Sequence, residues 1–484
     1  MTSISRYAIG PNLSIARILT GLWQVADQER DGRAFDLDRA ADAMGPYVAA
    51  GFTTFDMADH YGSAEEIVGR FRTRPGSPAT QLLTKWVPEP GPITREMVRA
   101  AVDRACARMR VERIDLLQFH AWSYADPAWL DAMCYLDELR REGRIAHLGL
   151  TNTDTAHLRL VVESGIPIAT NQICYSLLDQ RAAGAMAEYC ARKGVAILAF
   201  GTLAGGFLTD KWLGAPEPDW DALSTWSQMK YGRFIRVVGG WAALQRVLRA
   251  ARTVADRHGV SIANIATRYI LDAPAIGGVI IGARLGERAH LEDNARTDAL
   301  QLTADDRATI AEALATLESV PGDCGDEYRK PPFLTASGDL SHHVASFPAP
   351  FRVDTAPDGA RRAFSGTPWE TSAGYARAVR IGDRIVVSGT TATHGDRAMG
   401  GTDAYAQAHH VFDKIEGAVQ SLGGALADVV RTRVFVSRIE DWEAVARAHG
   451  ERFGSIRPAN TLVRAELIGA EYLVEIEAEA VVRG

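Results

Sequence analysis

A closed (β/α)8 TIM barrel followed by a smaller α+β domain is the fold class this sequence predicts, on three observations. Eight short apolar runs alternate with helix-period patterns over roughly the first 300 residues, as repeated β–α units around a parallel sheet do. Three of these runs end at or beside an ionisable residue, Asp56, Lys85 or His120, where strands hand over to loops. After Leu317 the alternation fades, and from Arg362 the chain changes to paired strands around one long helix. Periodicity alone leaves an open doubly wound sheet as the alternative. No G-x-G-x-x-G follows any strand, so a dinucleotide-binding sheet of that kind lacks its phosphate cradle.

Composition sets the outer limits. At 484 residues the chain exceeds one ordinary core, and 47% hydrophobic with 23% charged residues describes a soluble globular protein of roughly two or three domains. The net charge of −7 argues against a nucleic-acid groove. No apolar run nears the ~20 residues of a membrane span, and MTSISRYAIG lacks a signal-peptide pattern. Five cysteines, Cys106, Cys134, Cys174, Cys190 and Cys324, are scattered and never form C-x-x-C, as in reduced cytoplasmic proteins. The pairs His342-His343 and His409-His410 have neither a Cys partner nor HExxH spacing, so they are expected on the surface and no metal is expected.

Taken in order, residues 20–26 (TGLWQVA) read as the first strand and 39–50 as the helix leading to the second. That second strand, an apolar and β-branched run from Phe52 to Phe55, meets Asp56 at its end. Tyr61 follows in the loop, and Gly62-Ser63 precede a helix marked by Ile67, Val68 and Phe71. Residues 81–86 (QLLTKW) are the third strand. Thr94 is an N-cap for a helix whose stripe is Val98, Ala101, Val102, Ala105, Cys106 and Met109, and that helix delivers the chain to strand 114–120 (IDLLQFH). Pro127 opens a helix ending near Gly143, and strands follow at 146–150, 167–172, 195–200 and 278–282. The Gly- and Pro-rich segment 322–343 reads as a tail over the barrel, which makes 1–345 the first domain, 346–361 a linker and 362–484 the second domain. There, strands 375–381 and 384–389 flank Gly382-Asp383, a hairpin signal. A long helix at 402–423, a strand at 429–436, a helix at 441–453 and strands at 461–467 and 472–482 complete it.

The run from Asp56 to Gly62, D-x-A-x-x-Y-G, resembles the signature of the aldo-keto reductase family. The resemblance implies a catalytic tetrad, and Asp56, Tyr61, Lys85 and His120 fall at successive strand ends in its order and spacing, which favours the closed barrel. It implies that Gly21 and Trp23 lie near a nicotinamide cofactor. Thr151-Asn152, where the family has Ser-Asn, and Gln172 would hold the carboxamide, and Phe200, where it has tyrosine, would stack on the ring. Residues 200–211 (FGTLAGGFLTDK) resemble its pyrophosphate loop, in which Gly201, Thr202, Leu203 and Gly205 offer backbone. Residues 281–294 resemble its adenosine-phosphate segment: Gly282, Ala283 and Arg284 begin the loop, His290 replaces the usual Arg or Gln, and Asn294 caps the adenine side. Arg284, a guanidinium fork suited to a 2′-phosphate, points to NADPH.

In the second domain, P-W-E…G-Y-x-R-A-V-R-x-G-D…V-S-G-T-T and the closing V-E-I-E-A-E-A-V are similar to the Rid (YjgF-like, reactive intermediate deaminase) family, which implies a chorismate-mutase-like fold and trimers with clefts between subunits. Asn460 stands where those deaminases carry a carboxylate-binding arginine and offers neither charge nor fork. Glu477 matches their cleft glutamate, but Glu475, Glu477 and Glu479 also fit a solvated strand face.

The tetrad implies that Tyr61 donates a proton. A phenol pKa of about 10 asks for a nearby cation. Lys85 supplies it, Asp56 orients Lys85, and His120 positions the carbonyl oxygen. The principal expectation is a cytoplasmic, NADPH-dependent reductase of a small aldehyde or ketone, trimeric through its second domain, with barrels tethered by the linker. Two alternatives stay open: a reductase of an imine or enamine handled by the second domain, and a non-catalytic NADPH-sensing binding protein.

Overall fold

The computed structural model describes residues 4–30, 35–287 and 289–483. A hairpin of β1 (Arg6–Gly10) and β2 (Leu13–Ala16) precedes eight parallel strands that close on themselves. These are β3 (Ile18–Gly21), β4 (Thr54–Asp56), β5 (Gln81–Trp86), β6 (Ile114–Phe119), β7 (Ile145–Thr151), β8 (Ile168–Cys174), β9 (Ala196–Phe200) and β10 (Ile276–Gly282). The ring is shut by β10 beside β3, with Gly282 opposite Gly21. Because β3 follows β2 directly, the hairpin sits at the N-terminal end of the strands. There Ile9, Leu13 and Ile15 join Leu19, Leu83, Leu116, Leu198 and Ile280 in an apolar plug. One end is thereby closed to water, and the carboxyl ends form the open mouth.

The helices lay apolar stripes against the outside of the ring. Helix Arg95–Met109 buries the six stripe residues read from the sequence and starts at Thr94, whose hydroxyl accepts from the Met97 amide. Two elements differ from expectation. β3 ends at Gly21, its last residue with strand partners on both sides (Asp56 and Gly282), and Trp23–Gln28 is helical. The helix at 39–50 is two short ones, Leu37–Asp42 and Met44–Ala49, because Pro46 has no N–H to continue a single ladder. After the last barrel helix, Ala304–Leu314, the tail crosses the mouth, where Arg329 donates to the Asn152 carbonyl at 2.5 Å. Among the described residues no helix is long and apolar enough to cross a membrane.

The second sheet has the order β11 (Arg352–Thr355), β12 (Arg361–Phe364), β13 (Ala378–Ile381), β14 (Arg384–Thr391), β19 (Val474–Val481), β17 (Val429–Val436) and β18 (Ala459–Arg464), with a side hairpin of β15 (Thr393–His394) and β16 (Arg397–Ala398). The stretch 346–361, expected as linker, thus supplies an edge strand. Alternate residues of β19 (Val474, Ile476, Ala478 and Ala480) are buried together with residues of helices Ala404–Ser421 and Trp442–Phe453. The other face carries Glu475, Glu477 and Glu479, with Val386 and Val463 exposed.

Helix Ala404–Ser421 is covered on both sides, by its own sheet and by barrel helix Thr155–Glu163. That double cover overturns the surface expectation for His409 and His410, which are 8% and 1% exposed. A Cβ on Gly417 would overlap the Ala125 carbonyl, and one on Gly401 the Glu163 carbonyl. At the centre His157 places Nδ1 2.7 Å from Asp154 and Nε2 2.8 Å from Asp413 across the seam, while Arg159 meets Asp403 at 2.8 Å. The domains dock helix to helix, so a tether alone does not describe their connection.

Candidate active site

Parallel pairing of β4 with β5 brings their carboxyl ends side by side. Lys85 Nζ lies 2.6 Å from Asp56 Oδ2 and 2.7 Å from the Met57 carbonyl, with both side chains 4% exposed. The ammonium stands 4.7 Å from the centre of the Tyr61 ring, which Trp23 meets edge-on at 5.0 Å. Asp56 Oδ1 accepts from Gln172 Nε2 at 2.7 Å and from Gln118 Nε2 at 3.4 Å. His120, just past β6, is buried. Its Nδ1 lies 3.4 Å from the Thr151 carbonyl and 3.5 Å from Asn152 Nδ2, and its Nε2 has no hydrogen-bond partner.

Burial, reinforced by Asp56, pushes the Tyr61 phenol well above its usual value. Lys85 was expected to draw it down. Burial dominates instead, and Asp56 adds to the upward shift. Burial lowers Lys85 in spite of Asp56, and burial followed by Arg329 holds His120 well below the ordinary imidazole range. At neutral pH the site therefore presents a protonated phenol beside a neutral imidazole.

Every barrel residue expected for catalysis or cofactor binding lines one cavity of about 1080 Å³ at the mouth. Asn152 Oδ1 and Thr202 Oγ1 are buried there without a partner. Gly21 has no room for a side chain, since a Cβ would stand 2.6 Å from Ile280 Cγ2. Gly201 and Gly205 take positive φ values of 78° and 65°, which turn the loop after β9. Unsatisfied amide and hydroxyl groups beside bare backbone fit a dinucleotide. Leu203, Gly282 and Ala283 extend the same wall. Arg284 donates to Asp27 at 2.5 Å and to Glu287 at 3.3 Å, with His290 and Asn294 on the same stretch of wall. Gln172, expected at the carboxamide, directs its Nε2 to Asp56.

Part of the wall escaped sequence reasoning. Trp226 tilts against Trp23 at 5.9 Å, and Tyr328 meets His120 edge-on at 5.6 Å. His343, half of a pair expected on the surface, stacks on Trp122 at 5.3 Å, and burial lowers its imidazole to about 4. His342 lines the same cavity from a more exposed position. These groups come from a helix and the tail, at no fixed distance from a strand end. Gln118 did carry a signal, as a fully buried amide inside the otherwise apolar end of β6.

Asn460 and Glu477 are not brought together. Asn460 Nδ2 lies 2.9 Å from Thr432 Oγ1 and 3.2 Å from His449 Nε2 on helix Trp442–Phe453. Glu477 lies on the other face of the sheet, 3.0 Å from Arg433 Nε. Strand alternation sets this: Thr432, opposite Asn460, is buried, while Arg433, opposite Glu477, is not.

A closed parallel barrel with a buried carboxylate–ammonium pair, a tyrosine and a histidine around one deep mouth defines a class of barrel enzymes. The aldo/keto reductase family model matches residues 17–315, more than half of the sequence, and the chain belongs to that family. The Endoribonuclease L-PSP model matches residues 367–482, so the second domain is YjgF-like. Among relatives, Protein tas of Escherichia coli is 27% identical over 305 residues, covering 54% of this chain and 85% of that protein. An uncharacterized protein of Streptomyces coelicolor is 44% identical over 124 residues, 25% of this chain and 92% of its own length. The solved glycerol dehydrogenase of Gluconobacter oxydans superposes with a TM-score of 0.53 at 22% identity, over 66% of this chain and 97% of that one, a likeness of fold. Family membership makes the protein an oxidoreductase.

Proposed function

We propose that the barrel reduces an aldehyde or ketone to an alcohol with NADPH, and that the second domain joins copies of the chain into a trimer. The observation that carries the first reading is the cluster at the strand tips: a protonated Tyr61 beside the Lys85 ammonium, and a buried His120 Nε2 with no partner. His120 Nδ1 faces both the Thr151 carbonyl and the Asn152 amide; in the tautomer whose Nδ1 accepts from Asn152, Nε2 carries the proton and donates to a carbonyl oxygen. Tyr61 transfers its proton to that oxygen, Lys85 stabilises the phenolate left behind, and Asp56 with the Met57 carbonyl holds Lys85 in place. A bound nicotinamide supplies the hydride. Asn152 and Gln172 are the polar groups for its head, Phe200 the platform for its ring, the loop with Thr202 the wall for its pyrophosphate, and Arg284 the group for the 2′-phosphate, in exchange for Asp27 and Glu287.

Tyr61→Phe tests the reading. The phenyl ring still fills its space, so kcat falls by about 10²–10⁴ while NADPH affinity stays within about twofold. Activity within tenfold of the unmutated protein removes Tyr61 from the role. Support for the trimer is the open sheet face, where Val386 and Val463 stand 45% and 44% exposed beside the row of glutamates. Light scattering that returns a monomer mass for the full chain sinks that proposal.

A further inference from the structure

We propose that this cavity is built for carbonyl substrates that also carry a carboxylate, with Lys230 and Tyr328 as the pair that receives it. The inference rests on the reductase reading and names its substrate class. Among the described residues, the lysines and arginines bordering the cavity are Lys85, Lys211, Lys230 and Arg284. Lys85 is held by Asp56, and Arg284 by Asp27 and Glu287. Lys211 is exposed and lies over Trp212. Lys230, on helix Trp226–Val237, is half-buried, and among the described residues it forms no ion pair. Its ammonium donates to the Tyr328 hydroxyl at 2.6 Å and stands 4.7 Å from the centres of both the Phe200 and Tyr328 rings. Glu327, next to Tyr328 in the chain, pairs instead with Arg181 at 2.9 Å.

Tyr328, the nearby Glu327 and the ring faces keep the Lys230 ammonium charged with no carboxylate in direct contact, and an anion that enters beside it completes an ion pair. The geometry selects a carboxylate. The Tyr328 oxygen accepts from Lys230, which leaves the phenol proton free to be donated. Two donors 2.6 Å apart suit the two oxygens of one carboxylate, each taking a charge-assisted or neutral hydrogen bond. A phosphate dianion would meet a single positive charge. The position also fits, because the Tyr328 ring abuts His120 with centroids 5.6 Å apart. The cation therefore stands one phenol ring from the group that receives the carbonyl oxygen. Trp122 and Trp226 flank this part of the cavity and suit an apolar spacer between the two ends of the substrate. An oxo acid bound this way gains a hydride at its carbonyl carbon and the Tyr61 proton at its oxygen, and leaves as the hydroxy acid.

The test uses the full chain, NADPH, glutaric semialdehyde and the methyl ester of that acid. The acid is expected to exceed the ester by at least about tenfold in kcat/KM, and Lys230→Met to bring the ratio close to one. Lys230→Arg keeps most of the preference and guards against misfolding as the cause, and Tyr328→Phe reduces it. The NADPH Kd, read by nucleotide fluorescence, stays within about twofold in Lys230→Met. Equal turnover of acid and ester by the unmutated protein overturns the proposal. So does an NADPH Kd that rises with the loss of acid turnover, because Lys230 is then a cofactor contact. If neither compound is reduced, the reductase reading fails separately, and calorimetry with glutarate still decides. Binding about tenfold tighter to the unmutated protein than to Lys230→Met supports the pair, and equal or absent binding overturns it.

Discussion

Asp56 receives hydrogen bonds on both oxygens, from Lys85 on one and from Gln172 and Gln118 on the other, and so governs the protonation of its neighbours. With Tyr61 raised and His120 depressed, neither changes charge near neutrality. The kcat/KM for reduction is therefore expected to be flat from about pH 6 to 9 and to fall only where Tyr61 loses its proton, at far alkaline pH. A break near pH 6.5 would mean that His120 titrates in its ordinary range. In Asp56→Asn the desolvation of Lys85 loses its main counterweight, with only Asp59 and Glu65 left against it, and the Lys85 pKa falls further. The alkaline limb then moves toward neutrality and kcat drops by at least about tenfold. An unchanged pH profile in that variant would show that Lys85 does not depend on Asp56. The cluster of Asp56, Tyr61, Lys85 and His120 was legible in the sequence because three of its members sit at or beside strand ends, which the alternation of runs marks, and Tyr61 follows in the loop after the first. Lys230, Tyr328 and Trp226 were not, because they reach the cavity from a helix and a tail whose return path follows from packing.

Strand β5 and the N-cap at Thr94 were readable from local pattern, since ladder length and capping chemistry act over a few residues. The edge strand β11 was hidden because Pro348, Pro350 and Pro357 suggested free chain, yet a proline bars a hydrogen bond only at its own position, and Arg352–Thr355 falls between them. Helix Ala404–Ser421 was visible, but its second partner was not. Its glycine shows the difference. Gly417→Ala raises helix propensity and still costs about 1–3 kcal/mol, because the new methyl meets the Ala125 backbone across the seam. Gly450, in helix Trp442–Phe453, has nothing within 4 Å of a built Cβ, so Gly450→Ala stabilises by about 0.5–1 kcal/mol. Thermal denaturation of both variants separates the cases, and a stabilised Gly417→Ala would show that the seam is not close-packed.

Across the whole molecule the seam turns on His157. Burial acts to lower this imidazole, but Asp154 and Asp413 outweigh it and hold it up at about 9. Burial acts to raise Asp413, and His157 with Arg452 bring it down to about 2, while His157 likewise holds Asp154 below its ordinary range. A raised histidine contributes stability that is full below its unfolded value of about 6.5 and is lost as pH climbs through the folded value. Depressed carboxylates contribute above about 4 and lose it as pH falls. Docking is therefore strongest from about pH 4 to 6.5, persists at neutrality and weakens through pH 9. The same contacts reach the barrel mouth, since Asp154 caps helix Thr155–Glu163 just after Asn152 and Thr153. A protease nick between residues 345 and 352 is expected to leave both fragments together on size exclusion at pH 7 and to let them part at pH 10. His157→Gln, which removes the charge and keeps the bulk, should lower Tm clearly at pH 6 and by a diminishing amount as pH approaches 10. A barrel fragment that leaves freely at pH 7, or a Tm difference that does not change with pH, would mean that the imidazolium does not hold the domains together.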